Sequence, residues 1–256
     1  MSEARLSVAS NILYCVSDKM FDEIKSKVSR LLGNEKSGHS DEHIFRVYEL
    51  AMQFAEKEKA NKEIVAVAAL LHDVDDYKLF GAESAKNLVN ARKIMSEVKV
   101  PVEVAEPVCE IISSMGYSKL LAGVRPKSIE GKIVSDADMC DGIGAIGILR
   151  WHQYIIAHNG VVFNPDIFPV ESISAEEYKK QCASCGDKLV GGNPVNHYFD
   201  KLLKLSGLML SKSGEIEAKK RQQIMVDFLY EYFRENNAPK WKKVLDDFLS
   251  SKEAKK

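Results

Sequence analysis

The sequence of 256 residues lacks any hydrophobic run long enough to cross a membrane. Its longest apolar run, Ile64–Leu71, falls far short of the roughly 18 residues that a span needs. The N-terminal segment MSEARLSVAS lacks a basic region followed by an apolar one, so we expect no secretory signal. The cysteines number 5, an odd count that does not indicate a disulfide framework. Together these absences predict a cytoplasmic protein with reduced thiols and no membrane partner.

The sequence also lacks an excess of charge of either sign. Lysine and arginine number 36, and aspartate and glutamate number 37, which gives a formal net charge of −1 at pH 7. We therefore expect no nucleic-acid partner, because proteins that bind nucleic acids usually carry a marked positive charge. Hydrophobic residues make up 45% and charged residues 29%, which is typical of a globular protein with a sizeable core. Whether the protein forms a homo-oligomer stays open.

Alternation of strands with helices is also absent, and helical periodicity takes its place. Apolar residues recur at steps of three and four, as on a helix that buries one face, at Ile44, Val47, Tyr48, Ala51, Phe54 and Ala55. Asn61 is the predicted N-cap of the helix that carries Ile64–Leu71, and Pro239 is the predicted first residue of the last helix. Further helices are expected at about 82–98, 102–115, 128–150, 195–210 and 215–235. We predict an all-α fold in a single domain over 1–256, with a bundle core at about 30–236 on which the N- and C-terminal helices pack.

Glycine and proline residues are concentrated in 159–194, which predicts a long loop excursion in the bundle. Cys182 and Cys185 form a CxxC motif in this segment. A zinc site would need two further ligands, and no second CxxC exists, so the role of the pair stays open. A GxGxxG motif at Gly142, Gly144 and Gly147 follows acidic residues rather than a strand, which favours close helix packing over dinucleotide binding.

The most informative stretch is Leu70–Lys78 (LLHDVDDYK), in which His72 and Asp73 directly follow the apolar run. Imidazole and carboxylate groups are both good ligands of divalent metals. On a continuing helix, Asp76 would share one face with both residues. Three ionisable groups beside a core are unfavourable unless something satisfies them, and a metal ion would do so. By contrast, we expect the neighbouring Asp75 to be a solvated acid at the helix end.

Two further residues complete the predicted metal site. His43 lies near the N-terminus of the preceding amphipathic helix, and Asp138 lies in an acidic segment before another apolar run. The predicted ligand set is His43, His72, Asp73 and Asp138. Two imidazoles and two carboxylates without a thiolate suit Mn²⁺, with Mg²⁺, Fe²⁺ and Ni²⁺ as alternatives, better than a structural zinc ion.

A wider set of motifs resembles the HD-domain metal-dependent phosphohydrolases, whose pattern H…HD…D lies in an all-helical chain. The motifs occur in the expected order as Gly38-His39-Ser40, His43-Ile44, Arg46-Val47, Leu70-Leu71-His72-Asp73, Asp136-Ala137-Asp138 and Asp141-Gly142-Ile143-Gly144-Ala145-Ile146-Gly147. They are followed by Asn196-His197-Tyr198-Phe199 and Lys201-Leu202-Leu203-Lys204-Leu205. The whole set resembles the bacterial YedJ/YpgQ-like subfamily, which hydrolyses nucleoside triphosphates to monophosphate and pyrophosphate. The resemblance covers about residues 30–236.

The resemblance implies that the four residues of the predicted ligand set bind the metal ion. It also implies a catalytic role for Asp76, which lies where many HD hydrolases carry an acidic residue, and we predict a catalytic role for the ligand Asp73 as well. Two features depart from the family pattern. Met139 stands where many members have arginine, and 74–137 contains no histidine, although two-metal members carry extra histidines there. We therefore expect a single metal ion.

These residues suggest a mechanism on general chemical grounds. A divalent ion lowers the pKa of a bound water and contacts phosphate oxygens, while Asp76 orients that water or handles its proton. Charge that develops on the leaving group calls for nearby cations. The predicted substrate contacts are Lys78, His197, Lys201 and Lys204, and the last three are spaced to form a cationic strip on one helix face.

The predicted function is therefore hydrolysis of nucleoside or deoxynucleoside triphosphates to monophosphate and pyrophosphate, with a nucleotide as the small-molecule partner. A nucleotide phosphomonoesterase or phosphodiesterase stays open as an alternative. A non-catalytic regulatory module that binds metal and nucleotide is the alternative of a different class.

Overall fold

A computed structural model of the chain describes residues 19–33, 40–158, 161–169 and 193–251. These residues form helices and connecting segments and contain no β-strand, which confirms the all-α prediction. No helix among them is both long and apolar enough to cross a membrane. The backbone divides into two compact units, Met1–Met115 with Pro126–Val134 and Gly116–Arg125 with Ser135–Lys256. The prediction of a single domain therefore stays a prediction.

The first unit is built around an apolar helix. Its helices are α1 (19–32), α2 (Asp41–Glu58), α3 (Lys62–Leu71), α4 (Tyr77–Asn87), α5 (Val89–Glu97), α6 (Val102–Ser114) and the first part of α8 (Ile129–Asp141). α3 packs against both α2 and α6, and its residues from Val65 to Leu71 are all buried. Asn61 caps α3 as predicted, because its side chain accepts hydrogen bonds from the backbone N–H groups of Glu63 and Ile64.

The second unit is built around a long helix. Its elements are α7 (Tyr117–Leu121), the rest of α8, α9 (Gly144–Ala157), α10 (Asn196–Asp200), a 3₁₀ helix (Leu202–Leu208), α11 (Lys212–Glu235) and α12 (Pro239–Ser250). α11 packs against α9, the 3₁₀ helix and α12. Pro239 is the first residue of α12, as predicted.

Part of the predicted loop excursion packs on α12. The Trp241 indole N–H donates to the carbonyl oxygen of Pro165 at 2.9 Å, and the Phe168 ring stacks on the Trp241 ring at 4.9 Å. Within the excursion 159–194, the structure describes 161–169 and 193–194. Cys182 and Cys185 lie outside the described residues.

The prediction of one helix at about 128–150 is wrong, because the segment forms two helices. α8 ends at Asp141, and α9 begins at Gly144, whose φ of 76° lies in the left-handed region that favours glycine. A Cβ atom at Gly147 would lie 2.6 Å from the carbonyl carbon of Gly142. Small residues therefore allow this close turn, in agreement with the packing interpretation of the GxGxxG motif.

Candidate metal centre

The His-Asp pair lies in a turn that follows α3. The helix ends at Leu71, residues 72–75 form turns, and α4 begins at Tyr77. The expectation that Asp76 shares a face of a continuing helix with the pair is therefore wrong. Asp76 is instead the N-cap of α4, where its Oδ1 accepts the backbone N–H of Lys78 at 2.9 Å.

The turn brings three of the four predicted ligands together within the first unit. His43, the third residue of α2, places its Nε2 at 3.3 Å from the Nε2 of His72. The Oδ2 of Asp73 lies 3.7 Å from the Nε2 of His43 and 3.8 Å from the Nε2 of His72. Both histidines are almost fully buried, with exposed fractions of 2% for His43 and 7% for His72, whereas Asp73 is half-buried. The cluster therefore faces solvent through its carboxylate.

These three donor atoms fit a divalent metal ion. From their three separations, the nearest point equidistant from them lies about 2.1 Å from each atom, which matches metal–ligand distances of about 2.0–2.2 Å for imidazole nitrogen and carboxylate oxygen. The cluster thus has the donor chemistry and the dimensions of one metal centre.

The tautomer of His72 also suits a metal ligand. Its Nδ1 lies 2.8 Å from the carbonyl oxygen of Ala69. A carbonyl oxygen can only accept a hydrogen bond, so Nδ1 carries a proton, and this leaves Nε2 as the ring nitrogen that is available to a metal ion. The Nε2 of His43 lies only 3.3 Å away, so one cation would contact both nitrogens.

The three acids of α8 have different surroundings. Asp136 is fully buried, and its carboxylate accepts the backbone N–H groups of Leu210 and Ser211 and the hydroxyl of Ser211. Asp141 is buried and accepts a 2.8 Å bond from the Arg150 guanidinium. Both residues therefore make structural contacts inside the second unit, while Asp138 is half-buried. Its role as the fourth ligand stays a prediction.

The predicted cationic strip of His197, Lys201 and Lys204 is wrong as a helix face. α10 ends at Asp200, and the 3₁₀ helix begins only at Leu202, so the three residues do not share one helix. Burial, together with the nearby positive charge of Lys201, lowers the pKa of His197 to about 3, so that its imidazole is neutral at pH 7.

His197 stacks on Trp151 with ring centroids 4.2 Å apart, and the Trp151 indole N–H donates to the carbonyl oxygen of Pro194 at 3.0 Å. Trp151 lies 46 positions upstream, so periodicity could not reveal this partner. The stack holds the imidazole in place by packing rather than by charge.

The lysines among the predicted substrate contacts differ in their surroundings. Lys78 is exposed in the first turn of α4. Lys201 places its ammonium group 5.0 Å from the centroid of the Tyr117 ring, a cation–π contact that the sequence did not indicate. Burial raises the pKa of the neighbouring Asp200 to about 6, against the opposing effect of the Lys204 charge.

The expectation that Asp75 is a solvated acid is wrong. Its exposed fraction is only 4%, and its carboxylate accepts hydrogen bonds from Ser84, Asn90 and Ala91. Three donors compensate the carboxylate for the loss of water. These partners lie 9 to 16 positions away, beyond the range of any local sequence signal.

Comparisons with known proteins agree with one another. The model of the HD domain family matches residues 40–143, a range that contains the three clustered residues. The Bacillus subtilis (strain 168) protein YpgQ is 32% identical over 219 residues, which cover 82% of this chain and 91% of YpgQ. The crystal structure of an HD-superfamily hydrolase from Bacillus thuringiensis is similar with a TM-score of 0.66 and 31% identity, over 87% of this chain and 99% of that one. The crystal structure of Bacillus subtilis YpgQ in complex with ADP is similar with a TM-score of 0.63 and 27% identity, over 86% of this chain and 96% of that one.

Proposed function

Because the chain belongs to the HD domain family, we propose that it is a divalent-metal-dependent phosphohydrolase that cleaves nucleoside or deoxynucleoside triphosphates to monophosphate and pyrophosphate. The observation that carries the proposal is the convergence of His43, His72 and Asp73 on one point at metal-ligand distance. The relative YpgQ has been crystallised with ADP, which supports a nucleotide as the substrate class here.

The clustered side chains would hold one ion, and we propose Asp138 as a further ligand from the sequence pattern. Imidazole and carboxylate donors without thiolate suit Mn²⁺, with Mg²⁺, Ni²⁺ or Fe²⁺ as alternatives. When bound, such an ion supplies Lewis-acid activation of water and neutralises charge on phosphate oxygens.

Asp76 is the proposed catalytic base. It caps α4 directly after the turn that carries His72 and Asp73, and its bond from the Lys78 N–H holds the carboxylate in one orientation. A fixed carboxylate at this position would orient the attacking water and accept its proton. Asp73 would contribute to catalysis by holding the ion through its Oδ2, the oxygen that belongs to the cluster.

The remaining proposed contacts concern the phosphate groups of the substrate. Lys78, Lys201 and Lys204 would neutralise negative charge on the leaving pyrophosphate. His197 would contribute a hydrogen bond rather than a charge, because burial keeps its imidazole neutral at pH 7 by lowering its pKa to about 3.

A substrate screen with Mn²⁺ tests this function. Nucleoside mono-, di- and triphosphates and a nucleotide diester are incubated with the purified protein, and orthophosphate and pyrophosphate are measured separately. We expect pyrophosphate from triphosphates. Orthophosphate from monophosphates alone would instead support a phosphomonoesterase, and cleavage of the diester alone would support a phosphodiesterase.

The variant Asp76→Asn separates an enzyme from a binding module. We expect it to lose about 100-fold or more of the turnover, which is the usual contribution of a positioned general base, while it still binds Mn²⁺. The matched control is Glu83→Gln, which changes an exposed acid of α4 beyond the kink at Gly81 and should keep full activity. A wild-type protein that binds Mn²⁺ and nucleotide without turnover would instead favour the regulatory module.

A further inference from the structure

Asp75 makes a concentrated set of hydrogen bonds beside the metal centre. Its Oδ1 accepts the Ser84 hydroxyl at 2.5 Å and the backbone N–H of Asn90 at 2.9 Å. Its Oδ2 accepts the backbone N–H of Ala91 at 2.9 Å. Asp75 lies in the residues 72–76, named here the HD turn, which contain His72 and Asp73. One buried carboxylate thus joins the HD turn to the start of α5.

The start of α5 needs this carboxylate. Leu88 occupies the N-cap position with left-handed backbone angles (φ 53°, ψ 50°), and its side chain makes no capping bond. The N–H groups of the first turn of a helix have no partner inside the helix, and an N-cap side chain normally accepts one of them. Asp75 accepts two such N–H groups from 15 and 16 positions away. The negative carboxylate also interacts favourably with the positive end of the helix dipole.

A second bond from the same helix reaches the HD turn. The side-chain amide of Asn90 donates to the carbonyl oxygen of Val74 at 2.8 Å. Within the turn itself, the N–H of Val74 reaches the carbonyl oxygen of Leu71 only at 3.4 Å, which is long for a backbone hydrogen bond. The N–H of Asp76 also donates to the carbonyl oxygen of Asp73 at 3.1 Å within the turn, and the Asn90 bond adds an anchor from α5 directly beside Asp73.

We infer that Asp75, together with Asn90, is a positioning residue for the metal centre: it fixes the HD turn so that the donor atoms of His72 and Asp73 point to one ion. This inference rests on the proposed function, since it assumes that the cluster binds a metal. Residues that orient metal ligands without contacting the ion typically contribute a factor of about 10–100 to metal affinity. Neither Asp75 nor Asn90 belongs to the predicted ligand set.

The test is a titration of the metal-free full-length protein with Mn²⁺. The electron paramagnetic resonance signal of the free ion is measured at each step and gives the Mn²⁺ affinity. Asp75→Asn replaces one accepting oxygen by an amide NH₂ that faces N–H donors, and we expect Mn²⁺ affinity to fall about 10-fold or more. Asn90→Ala removes only the bond to Val74 and is the milder variant if Asp75→Asn does not fold. We expect the same direction of change for it.

The matched control is Asn193→Ala, whose buried side chain donates to the carbonyl oxygens of Asn164 and Ile167 at 2.8 and 2.9 Å in the second unit. It should lower the urea midpoint of the metal-free protein and leave Mn²⁺ affinity unchanged. If Asp75→Asn and Asn90→Ala behave like this control, with lower stability and unaltered affinity, the inference is overturned although the wild type binds Mn²⁺. A wild type that binds no Mn²⁺ would overturn the proposed metal site itself, and this inference with it.

Discussion

Removal of the His72 imidazole tests the metal centre most directly. His72→Ala leaves two of the three clustered donors. Mutation of a residue that only orients a metal ligand can lower metal affinity by up to about 100-fold. Loss of a ligand itself should weaken Mn²⁺ binding by at least this factor. At a Mn²⁺ concentration about 100 times the wild-type Kd, binding stabilises the folded state by about 2.7 kcal/mol. The same concentration would then equal the Kd of the variant and give only about 0.4 kcal/mol. For a chain of this length these values correspond to rises in Tm of about 5–11 °C and about 1–2 °C.

The assay is thermal unfolding with and without Mn²⁺, after all proteins have been stripped with a chelator. His72 is buried, so the variant will also unfold earlier without metal, and the informative quantity is the Mn²⁺-dependent rise within each protein. His152→Ala, which changes an exposed histidine of α9, should show the wild-type rise. An equal rise in His72→Ala and wild type would refute the assignment of His72 as a ligand.

Three further outcomes are expected. Asp138→Ala should weaken Mn²⁺ binding in the same titration, and unchanged affinity would remove Asp138 from the ligand set. Gly214→Ala should lower the free energy of unfolding, measured in urea, by about 1–3 kcal/mol, because the new Cβ would lie 2.6 Å from the Cβ of Asp136. The same exchange usually stabilises a helix, so a gain in stability would contradict this packing. The pKa of Asp200 is raised to about 6 from an ordinary value of 3.8, so its charged form destabilises the folded state. Asp200→Asn should therefore stabilise the fold at pH 7–8 by about 1–2 kcal/mol, a value reduced for solvent screening at this half-buried site. Protonation favours the folded state, so the wild type regains this stability as the pH falls through 6, and the advantage of the variant should vanish near pH 4; a constant advantage in urea unfolding at both pH values would contradict it.

The elements that the sequence could predict are those set by local chemistry. The spacing of apolar residues predicts α2, and the single side chains of Asn61 and Pro239 mark the beginnings of α3 and α12. His43, His72 and Asp73 could be selected as a group because their residue types fit one kind of ligand set. Each of these signals is contained within a few positions or within the chemistry of the side chains.

The features that could not be predicted depend on partners distant in sequence. From the sequence, Asp75 is expected to be a solvated acid at a helix end. Its hydrogen-bond donors come from Ser84, Asn90 and Ala91, which lie close to it only in the folded structure. The sequence predicts His197 as a cation, whereas in the structure its ring stacks on Trp151 and burial lowers its pKa, so that it is neutral. Periodicity counts positions along one helix, and it carries no information about which other segment lies against that helix.

The hydrogen bond from His72 to Ala69 has a consequence for how the protein acquires its ion. The Ala69 carbonyl is one of the last of α3, and these lack partners inside the helix, so the folded helix end contributes one bond that orients the ring before any ion binds. The entropy of aligning this ligand is therefore lost during folding and not when the ion arrives. Repeated chelation and reloading should therefore leave the orientation of the ring unchanged.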